Sequence, residues 1–463
     1  SLPCTVSNGN VYVSGFEGKR APPHRRTPAM CPASAKDQRQ FVVIGSGAAA
    51  ATAVETLRQD GFGGRIVMVS KENTLPYDRT KMSKTMTLTA DEVTLRRPEF
   101  YEKHGVETKL GDAVVGVNLD ERVVQTADGD AIKFDKLLVA TGGPARSFRA
   151  PERFTIPGAD LDSIYVLRQA EDASGIMRVI ESGRERVRVA IVGSSFIGME
   201  AAAYLSKNKV QDITVIGMES VPFERVLGQE VGAFMQRLHE GNGVKFEMNT
   251  VVEEFLGDGS VSGVRLRGGA SLEADVVVVG AGIIPATEFL ADTGLTLSRD
   301  GAVETDEFLQ AHPDVFAAGD IVRFPYHFAT HESSASIRIE HWAVAMDQGR
   351  IAARNMLNSA NQSDLEPYQT IPFFWTSQAG SNIRYAGNAM AFDDTIIHGD
   401  MSGPKSAFTV YYMNGDVVSA VATFNRDPFA VAAQELLRLG RMPSRAVLEE
   451  GDVDLVAHLE KCS

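Results

Sequence analysis

The sequence predicts an α/β protein with two doubly wound parallel sheets and a smaller α+β domain at its C-terminal end. Two observations support this class. An apolar strand, a glycine-rich turn and an alanine-rich helix follow one another from Phe41, and the same order returns from Val187. After about residue 367 the pattern changes to the aromatic and β-branched alternation that is typical of antiparallel strands. A chain of 463 residues also exceeds what one hydrophobic core usually supports, so two or three domains are expected.

The composition excludes several classes of protein. Hydrophobic residues make up 44% and charged residues 23% of the chain, which is ordinary for a globular protein. The net charge of −14 argues against general binding to nucleic acid, and no apolar run is long enough to span a bilayer. Cys4, Cys31 and Cys462 are scattered and lack CxxC spacing, so we expect neither a disulfide framework nor a metal site. A reducing intracellular location, mitochondrial or cytoplasmic, fits this cysteine usage.

The first glycine-rich turn reads Gly45-Ser-Gly47-Ala48-Ala49-Ala50 and lies between a strand and a helix. In such a unit the first glycine permits a tight turn, and the second lets the backbone approach a pyrophosphate. The third position keeps the helix close to the sheet. Glu72, shortly after the second strand, is placed to accept hydrogen bonds from ribose hydroxyls. A glycine pair that serves only helix packing is the alternative, and the full strand–turn–helix–strand–acid context favours a dinucleotide site.

The second turn, Gly193-Ser-Ser195-Phe196-Ile197-Gly198, replaces the middle glycine by serine. A serine still permits close approach, at some steric cost. The alternative is a duplicate that no longer binds nucleotide. Gly217 occupies the position where an acidic residue usually ends the next strand, and Glu219 can take over that role. Arg225 is nearby, but its charge alone does not establish NADPH binding, so the choice between NADH and NADPH stays open.

A further signal is the apolar strand that delivers Gly319-Asp320. An aspartate in this position can bind hydroxyl groups of a polyol such as the ribityl chain of a flavin. Together with Ala140-Thr141-Gly142 and the first glycine-rich turn, it forms one coherent cofactor site. In the last part of the chain, Phe373–Trp375 and Phe408–Tyr412 predict an antiparallel sheet, and Asp427–Leu439 predicts a helix.

These motifs, in this order, resemble the pyridine nucleotide-disulfide oxidoreductase superfamily. Leu75–Arg79 with Lys81–Lys84 is similar to the oxygenase-coupled ferredoxin reductases and the apoptosis-inducing factor group. Further segments resemble the apoptosis-inducing factor 3-like branch: Phe196–Glu200, Val221–Gly228, Arg338–Trp342, Gln348-Gly349, Pro372–Trp375 and Arg384–Gly387.

The resemblance implies a glutathione reductase-like architecture with two Rossmann-like nucleotide-binding domains and a C-terminal α+β interface domain. We expect a FAD-binding domain at 38–157 and 284–366, an NAD(P)H-binding domain at 158–283 and the interface domain at 367–463. The branch carries an N-terminal Rieske domain, whose last strands the segment Leu2–Val13 resembles. We therefore expect residues 1–37 to be the remnant of such a domain and a linker, and the native chain to begin further upstream.

The resemblance also implies FAD and a reduced nicotinamide as cofactors, with NADH favoured over NADPH. Lys84 would lie close to flavin N5 and Glu200 would orient the nicotinamide amide, which makes them the two catalytic candidates. The residues expected to bind FAD are Gly45, Gly47, Ala48, Ala49, Ala50, Glu72, Arg79, Lys84, Val114, Ala140, Thr141, Gly142, Arg168, Gly319, Asp320, Glu340, His341, Trp342 and Trp375. The residues expected to bind the nicotinamide nucleotide are Gly193, Ser195, Phe196, Ile197, Gly198, Glu200, Glu219 and Gly282.

The implied function is an FAD-dependent NAD(P)H oxidoreductase that passes electrons to a one-electron acceptor. That acceptor is an iron–sulfur centre, either a Rieske domain in the same chain or a ferredoxin-like protein, and the enzyme is a monomer or a homodimer. Disulfide reductases of the superfamily use a cysteine pair beside the flavin, whereas Arg79–Met86 contains no cysteine. Two alternatives stay open: a quinone or monodehydroascorbate reductase, and an NADH-responsive redox-sensing flavoprotein of the apoptosis-inducing factor type.

Overall fold

The computed structural model describes residues 4–7, 10–13, 27–183, 185–328, 335–359, 361–389, 392–403 and 405–462. It contains two parallel sheets and a C-terminal antiparallel sheet with helices packed on them, which confirms the predicted fold class. At the N-terminal end β1 (Cys4–Ser7) and β2 (Asn10–Val13) form an antiparallel pair. Residues 21–26 of the predicted linker lie outside the described residues.

The first βαβ unit forms as the sequence predicts, because its strands are apolar and β-branched and its helix is rich in alanine. The strands before and after this helix pair in parallel, with Phe41 opposite Ile66. The elements of this part are β3 (Gln40–Ile44), α1 (Ala48–Gln59), β4 (Arg65–Ser70), α2 (Pro98–Lys103), β5 (Val106–Leu110), β6 (Val114–Asn118), β7 (Val123–Thr126), β8 (Ala131–Lys133) and β9 (Lys136–Val139).

The second parallel sheet repeats this design. The strand before the second glycine-rich turn lies at the centre of this sheet. The elements are β10 (Ile164–Val166), α3 (Ala170–Ile180), β11 (Arg188–Val192), α4 (Phe196–Lys207), β12 (Asp212–Ile216), α5 (Glu224–Glu240), β13 (Val244–Glu247), β14 (Val252–Asp258), β15 (Ser260–Leu266), β16 (Ser271–Glu273) and β17 (Val276–Val279). The order is β10-β17-β11-β12-β13, and β14-β15-β16 form a separate antiparallel sheet.

The chain then returns to the first sheet. The elements are β18 (Val303–Glu304), β19 (Gln310–His312), β20 (Val315–Ala317), β21 (Val322–Tyr326), β22 (Ala335–Ile337) and α6 (Trp342–Asn358). The first sheet has the order β19-β20-β9-β3-β4-β5 and is therefore built from two stretches of chain that flank the second sheet in sequence. The predicted domain boundaries themselves stay a prediction.

The C-terminal sheet has the order β23-β24-β27-β26-β25 and is antiparallel. Its elements are β23 (Phe373–Gln378), β24 (Ser381–Gly387), β25 (Asp394–Asp400), β26 (Ala407–Asn414) and β27 (Val417–Phe424), followed by α7 (Phe429–Leu439), α8 (Arg445–Glu450) and α9 (Leu455–Cys462). The helix predicted from Asp427 begins at Phe429, because Pro428 is its N-cap with non-helical backbone angles.

One hydrophobic core is shared between the helices of the second parallel sheet and the C-terminal sheet. Phe234 of α5 packs edge-on against Phe408 and Phe424, with ring centroids 5.1 and 4.9 Å apart. This packing holds β23, the edge strand, beside α4. Phe374 and Thr376 of β23 therefore contact Phe196 and Glu200 of α4.

A fully buried arginine closes the C-terminal end of α1. Arg58 is 0% exposed and donates hydrogen bonds to the carbonyl oxygens of Phe62, Gly64, His104 and Gly105. It thereby joins the end of α1 to the loop before β4 and to the loop before β5.

Replacing Arg58 by methionine is expected to lower the free energy of unfolding by about 3 kcal/mol or more, because several carbonyl groups lose their donor. Urea unfolding followed by circular dichroism with excess FAD measures this loss. Arg354→Met is the matched control, since Arg354 is part-exposed and, among the described residues, forms ion pairs with Asp60 and Glu366. It is expected to cost less than about 1 kcal/mol. Equal losses for the two variants would contradict the role of Arg58.

Candidate functional site

The first glycine-rich turn forms a cradle for an anionic group. Gly45 has φ +116°, and a Cβ at this residue would lie 2.2 Å from the Ala140 carbonyl oxygen, so only glycine fits. Gly47 is the N-cap of α1, and a Cβ placed there would meet nothing within 4 Å. Ala48, Ala49 and Ala50 are buried behind the turn. The amino end of α1 therefore faces open space, which suits a pyrophosphate.

Glu72 and Arg79, both predicted to bind FAD, form an ion pair with each other. Arg79 also lies over the ring of Tyr77, with its guanidinium carbon 4.6 Å from the ring centroid. The short 3₁₀ turn Arg79–Lys81 is capped by Asp78, which accepts a hydrogen bond from the Thr80 amide. The carboxylate expected to bind ribose is thus held in place by the neighbouring predicted residue.

A second charged cluster surrounds Asp320. Arg168 lies 3.5 Å from its carboxylate, and Arg338 donates to its backbone carbonyl at 3.0 Å. Arg338 also pairs with Glu340 at 2.7 Å. Gly142 belongs to the same region, since a Cβ there would lie 3.3 Å from the Arg168 guanidinium. The structure thereby brings together four of the predicted FAD-binding residues.

Two buried polar atoms of this region have no hydrogen-bond partner within the part of the chain that the structure describes. Gln348 accepts from the Gly319 amide at 2.8 Å through Oε1, whereas its Nε2 is buried and unpaired. His341 has an unpaired, buried Nδ1, and burial lowers its pKa to about 4. Unpaired buried polar atoms are costly unless a ligand satisfies them. Together with the open helix end at Gly47, they fit a bound FAD.

The second glycine-rich turn has the same close geometry. Cβ atoms at Gly193 and Gly198 would lie 2.3 Å from the Gly280 carbonyl oxygen and 2.0 Å from the Gly193 carbonyl oxygen. Ser195 caps α4 without a side-chain hydrogen bond to the helix. Gly282, which follows the carboxyl end of β17, has φ +85° and open space where a Cβ would be. The serine substitution therefore leaves this turn suited to a phosphate group.

The usual acidic position of the second unit is crowded by neighbouring side chains. A Cβ at Gly217 would lie 2.6 Å from both the Met248 methyl carbon and the Ser194 hydroxyl. Glu219 lies two residues further on, accepts from the Ser194 hydroxyl at 3.3 Å and pairs with Arg225 at 2.8 Å. A carboxylate is therefore present at this edge, as predicted, and it is paired with the arginine that the sequence left unassigned.

The two catalytic candidates contact each other although 116 residues separate them. Lys84 Nζ lies 2.8 Å from Glu200 Oε2, and the side chain of Glu200 is 6% exposed. Ser83 donates a further hydrogen bond to the same oxygen. Lys84 also lies 5.8 Å from the ring centroid of Trp375, which is 56% exposed. The ion pair therefore joins the loop after Arg79 to the first turns of α4.

Aromatic contacts connect the two nucleotide motifs. The ring of Phe374 lies 4.9 Å from that of Phe196 and 4.4 Å from that of His341. Phe196 opens α4, and His341 is the N-cap of α6. The structure places four further predicted residues as follows: Ile197 is 41% exposed, Trp342 begins α6, Val114 begins β6, and the Thr141 hydroxyl donates to the Ala286 carbonyl at 2.8 Å.

Sequence reasoning missed several residues of the site. Thr376 donates to Glu200 Oε1 at 2.7 Å, and Gln378 and Phe374 follow and precede it on the same strand face. The signal was available, because side chains two apart on a strand share a face and Trp375 points to the other one. Ser83, Ser194 and the amide of Gln348 have no comparable periodic signal.

None of the helices among the described residues is long and apolar enough to cross a bilayer. In the same residues no group of three or more histidine, cysteine, aspartate or glutamate side chains is placed to hold a metal ion.

The chain is similar to known proteins over most of its length. It is 38% identical to human apoptosis-inducing factor 3 over 402 residues, which is 86% of this chain but 63% of that protein. It is 31% identical to the ferredoxin–NAD(+) reductase component of the anthranilate 1,2-dioxygenase system of Burkholderia cepacia, over 90% of this chain and 99% of that protein. Putidaredoxin reductase in its covalent complex with putidaredoxin aligns with a TM-score of 0.81 and 28% identity, over 91% and 98% of the two chains.

Two family models account for most of the chain. Residues 373–459 match the reductase C-terminal model, and residues 39–349, which hold both glycine-rich turns, match the pyridine nucleotide-disulphide oxidoreductase model. The chain therefore belongs to the pyridine nucleotide-disulphide oxidoreductase family.

Proposed function

We propose that this protein is an FAD-dependent oxidoreductase that takes electrons from NADH and passes them to a one-electron iron–sulfur acceptor. The observation that carries the proposal is the contact between Lys84 and Glu200. It brings the loop that follows Arg79, a residue predicted to bind FAD, against the helix of the second nucleotide motif. FAD bound at the first motif and a nicotinamide nucleotide bound at the second would meet at this ion pair.

The residues divide the work between the two cofactors. Gly47 and the amino end of α1 would hold the FAD pyrophosphate, and Glu72 and Asp320 would bind its hydroxyl groups. Bound FAD supplies the exchange between two-electron and one-electron chemistry, which no side chain of the protein can carry out. Phe374 contacts both Phe196, predicted to bind the nicotinamide nucleotide, and His341, predicted to bind FAD.

The lack of cysteine next to Lys84 bears on the route by which electrons leave the flavin. The segment Arg79–Met86 contains no cysteine, and Cys31 and Cys462 are free thiols. A redox-active disulfide beside Lys84 is therefore excluded. Electrons must leave directly from the flavin, as a one-electron acceptor permits. A relative over nearly its full length is named a ferredoxin–NAD(+) reductase component, which supports an iron–sulfur protein as the acceptor.

A visible spectrum of the purified protein tests the whole proposal. We expect flavin bands that bleach on addition of NADH and return on addition of an oxidised ferredoxin. Turnover with a quinone or monodehydroascorbate and none with ferredoxin would replace the proposed acceptor. Slow reoxidation by every acceptor together with a change in oligomer size would favour a redox-sensing protein.

Replacing Lys84 by alanine is expected to slow flavin bleaching by NADH about tenfold or more, because Glu200 then keeps a buried charge without its cationic partner. Stopped-flow absorbance at saturating NADH measures the rate constant. The matched control is Lys81→Ala, since Lys81 is half-exposed and its ion pair with Asp78 spans 3.9 Å. An equal effect of both substitutions would remove Lys84 from the site.

Replacing Glu219 by glutamine is expected to lower kcat/KM for NADH about tenfold, because a ribose hydroxyl loses a charged acceptor. The value for NADPH should change much less, since the 2′-phosphate gains from the loss of the negative charge. Steady-state kinetics with both nucleotides measures the ratio. Arg225→Ala serves as the comparison and should leave kcat/KM for NADH nearly unchanged. A parallel fall for both nucleotides in Glu219→Gln would show that Glu219 does not discriminate between them.

A further inference from the structure

A chain of buried polar side chains extends from Glu200 away from the ion pair. Thr376 Oγ1 lies 2.7 Å from Glu200 Oε1, and Gln378 Nε2 lies 2.9 Å from Thr376 Oγ1. The Gln378 amide oxygen lies 3.1 Å from His239 Nε2. Thr376, Gln378 and His239 are each 1% exposed or less. Such a buried chain is costly unless its donors and acceptors match along its whole length.

The direction of every hydrogen bond in this chain follows from the carboxylate at its end. An ionised carboxylate only accepts, so Thr376 must give its single hydroxyl proton to Glu200. The threonine oxygen then accepts from the Gln378 amide nitrogen, which turns the amide oxygen towards His239. The ring of His239 must therefore carry its proton on Nε2. Burial lowers the pKa of His239 to about 4, which is consistent with a neutral ring at pH 7.

The two carboxylate oxygens of Glu200 have hydrogen-bond partners from different parts of the structure. Oε2 faces Ser83 and Lys84 of the loop that follows Arg79, whereas Oε1 faces Thr376 of β23. His239 lies in the last turn of α5, and Glu200 lies in α4. The carboxylate is thus held from opposite directions, and its freedom to rotate away from Lys84 depends on Thr376.

We propose that Thr376 is a positioning residue that holds the Glu200 carboxylate against Lys84, and that Gln378 and His239 fix the direction in which its hydroxyl donates. This inference rests on the proposed function, because it assigns Thr376 a part in the reaction at Lys84 and Glu200. It concerns a hydroxyl group that is buried behind the carboxylate and acts through it.

The substitution Thr376→Val keeps the shape of the side chain and removes the hydroxyl. We expect the rate constant of flavin bleaching at saturating NADH to fall about tenfold, since a hydrogen bond to a charged group is lost. The NADH concentration that gives half the maximal rate should change less than the rate itself. Because Glu200 then neutralises Lys84 less well, the midpoint potential of the flavin should shift to a more positive value.

Two further variants separate this role from a general packing effect. Thr376→Ser restores the hydroxyl and should restore both the rate and the potential. Thr423→Val is the matched control, since Thr423 lies in the same sheet, is 1% exposed and has a hydroxyl without a hydrogen-bond partner among the described residues. It should leave both quantities unchanged. A rate and potential in Thr376→Val equal to those of the unmodified protein, or equal losses in Thr376→Val and Thr423→Val, would overturn the inference.

The histidine tautomer provides a test that does not depend on activity. Long-range ¹⁵N–¹H correlation spectra of the holoprotein should show His239 as a neutral ring protonated at Nε2. A ring protonated at Nδ1, or a charged ring, at pH 7 would overturn the direction of the chain. If NADH does not bleach the unmodified protein at all, the proposed function fails. The spectrum still reports on the direction of the hydrogen bonds from Glu200 to His239.

Discussion

The arrangement of this protein depends on the burial of one carboxylate. Glu200 lies in a helix that follows the second nucleotide motif and is almost completely removed from water. A buried charge of this kind is tolerated only when hydrogen bonds and an opposite charge surround it. The partners come from the loop that follows Arg79 and from the C-terminal sheet. The requirement to satisfy one side chain therefore holds three parts of the chain in a common arrangement.

The fold was predictable from the sequence wherever local pattern and tertiary packing agree. Both βαβ units are recognisable from apolar strands, close glycine turns and small-residue helices. Gly45 and Gly193 show why the first position of each turn tolerates no side chain. The helices α8 and α9 were not predicted, because they are short and their stability comes from packing on α7 and the sheet. The helix α7 was predicted to begin at Asp427 but begins at Phe429, because Pro428 is its N-cap and has non-helical backbone angles.

The site was predictable where a motif carries a physical reason and less so where partners come from distant parts of the chain. The turns at Gly45–Ala50 and Gly193–Gly198 were deduced from residue type and spacing. The roles of Lys84 and Glu200 came from the family resemblance, and the structure adds that they form an ion pair. The contact of Glu200 with Thr376 had no signal in spacing, since a hydrogen bond between residues 176 apart depends on the packing of whole elements. Only the alternation along β23 pointed to the side on which Thr376 lies.

That alternation makes the length of one short strand a condition for the proposed support of Glu200. Pro372 precedes β23 and the turn at Ala379-Gly380 follows it, so six residues separate two fixed points. Insertion or deletion of a single residue between them would turn Trp375 inwards and bring Thr376 and Gln378 to the surface. Lys84 would then lose its contact with Trp375, and Glu200 would lose its hydrogen bond from Thr376. Homologous chains that keep this reaction are therefore expected to vary the amino acids of the strand freely before they vary its number of residues.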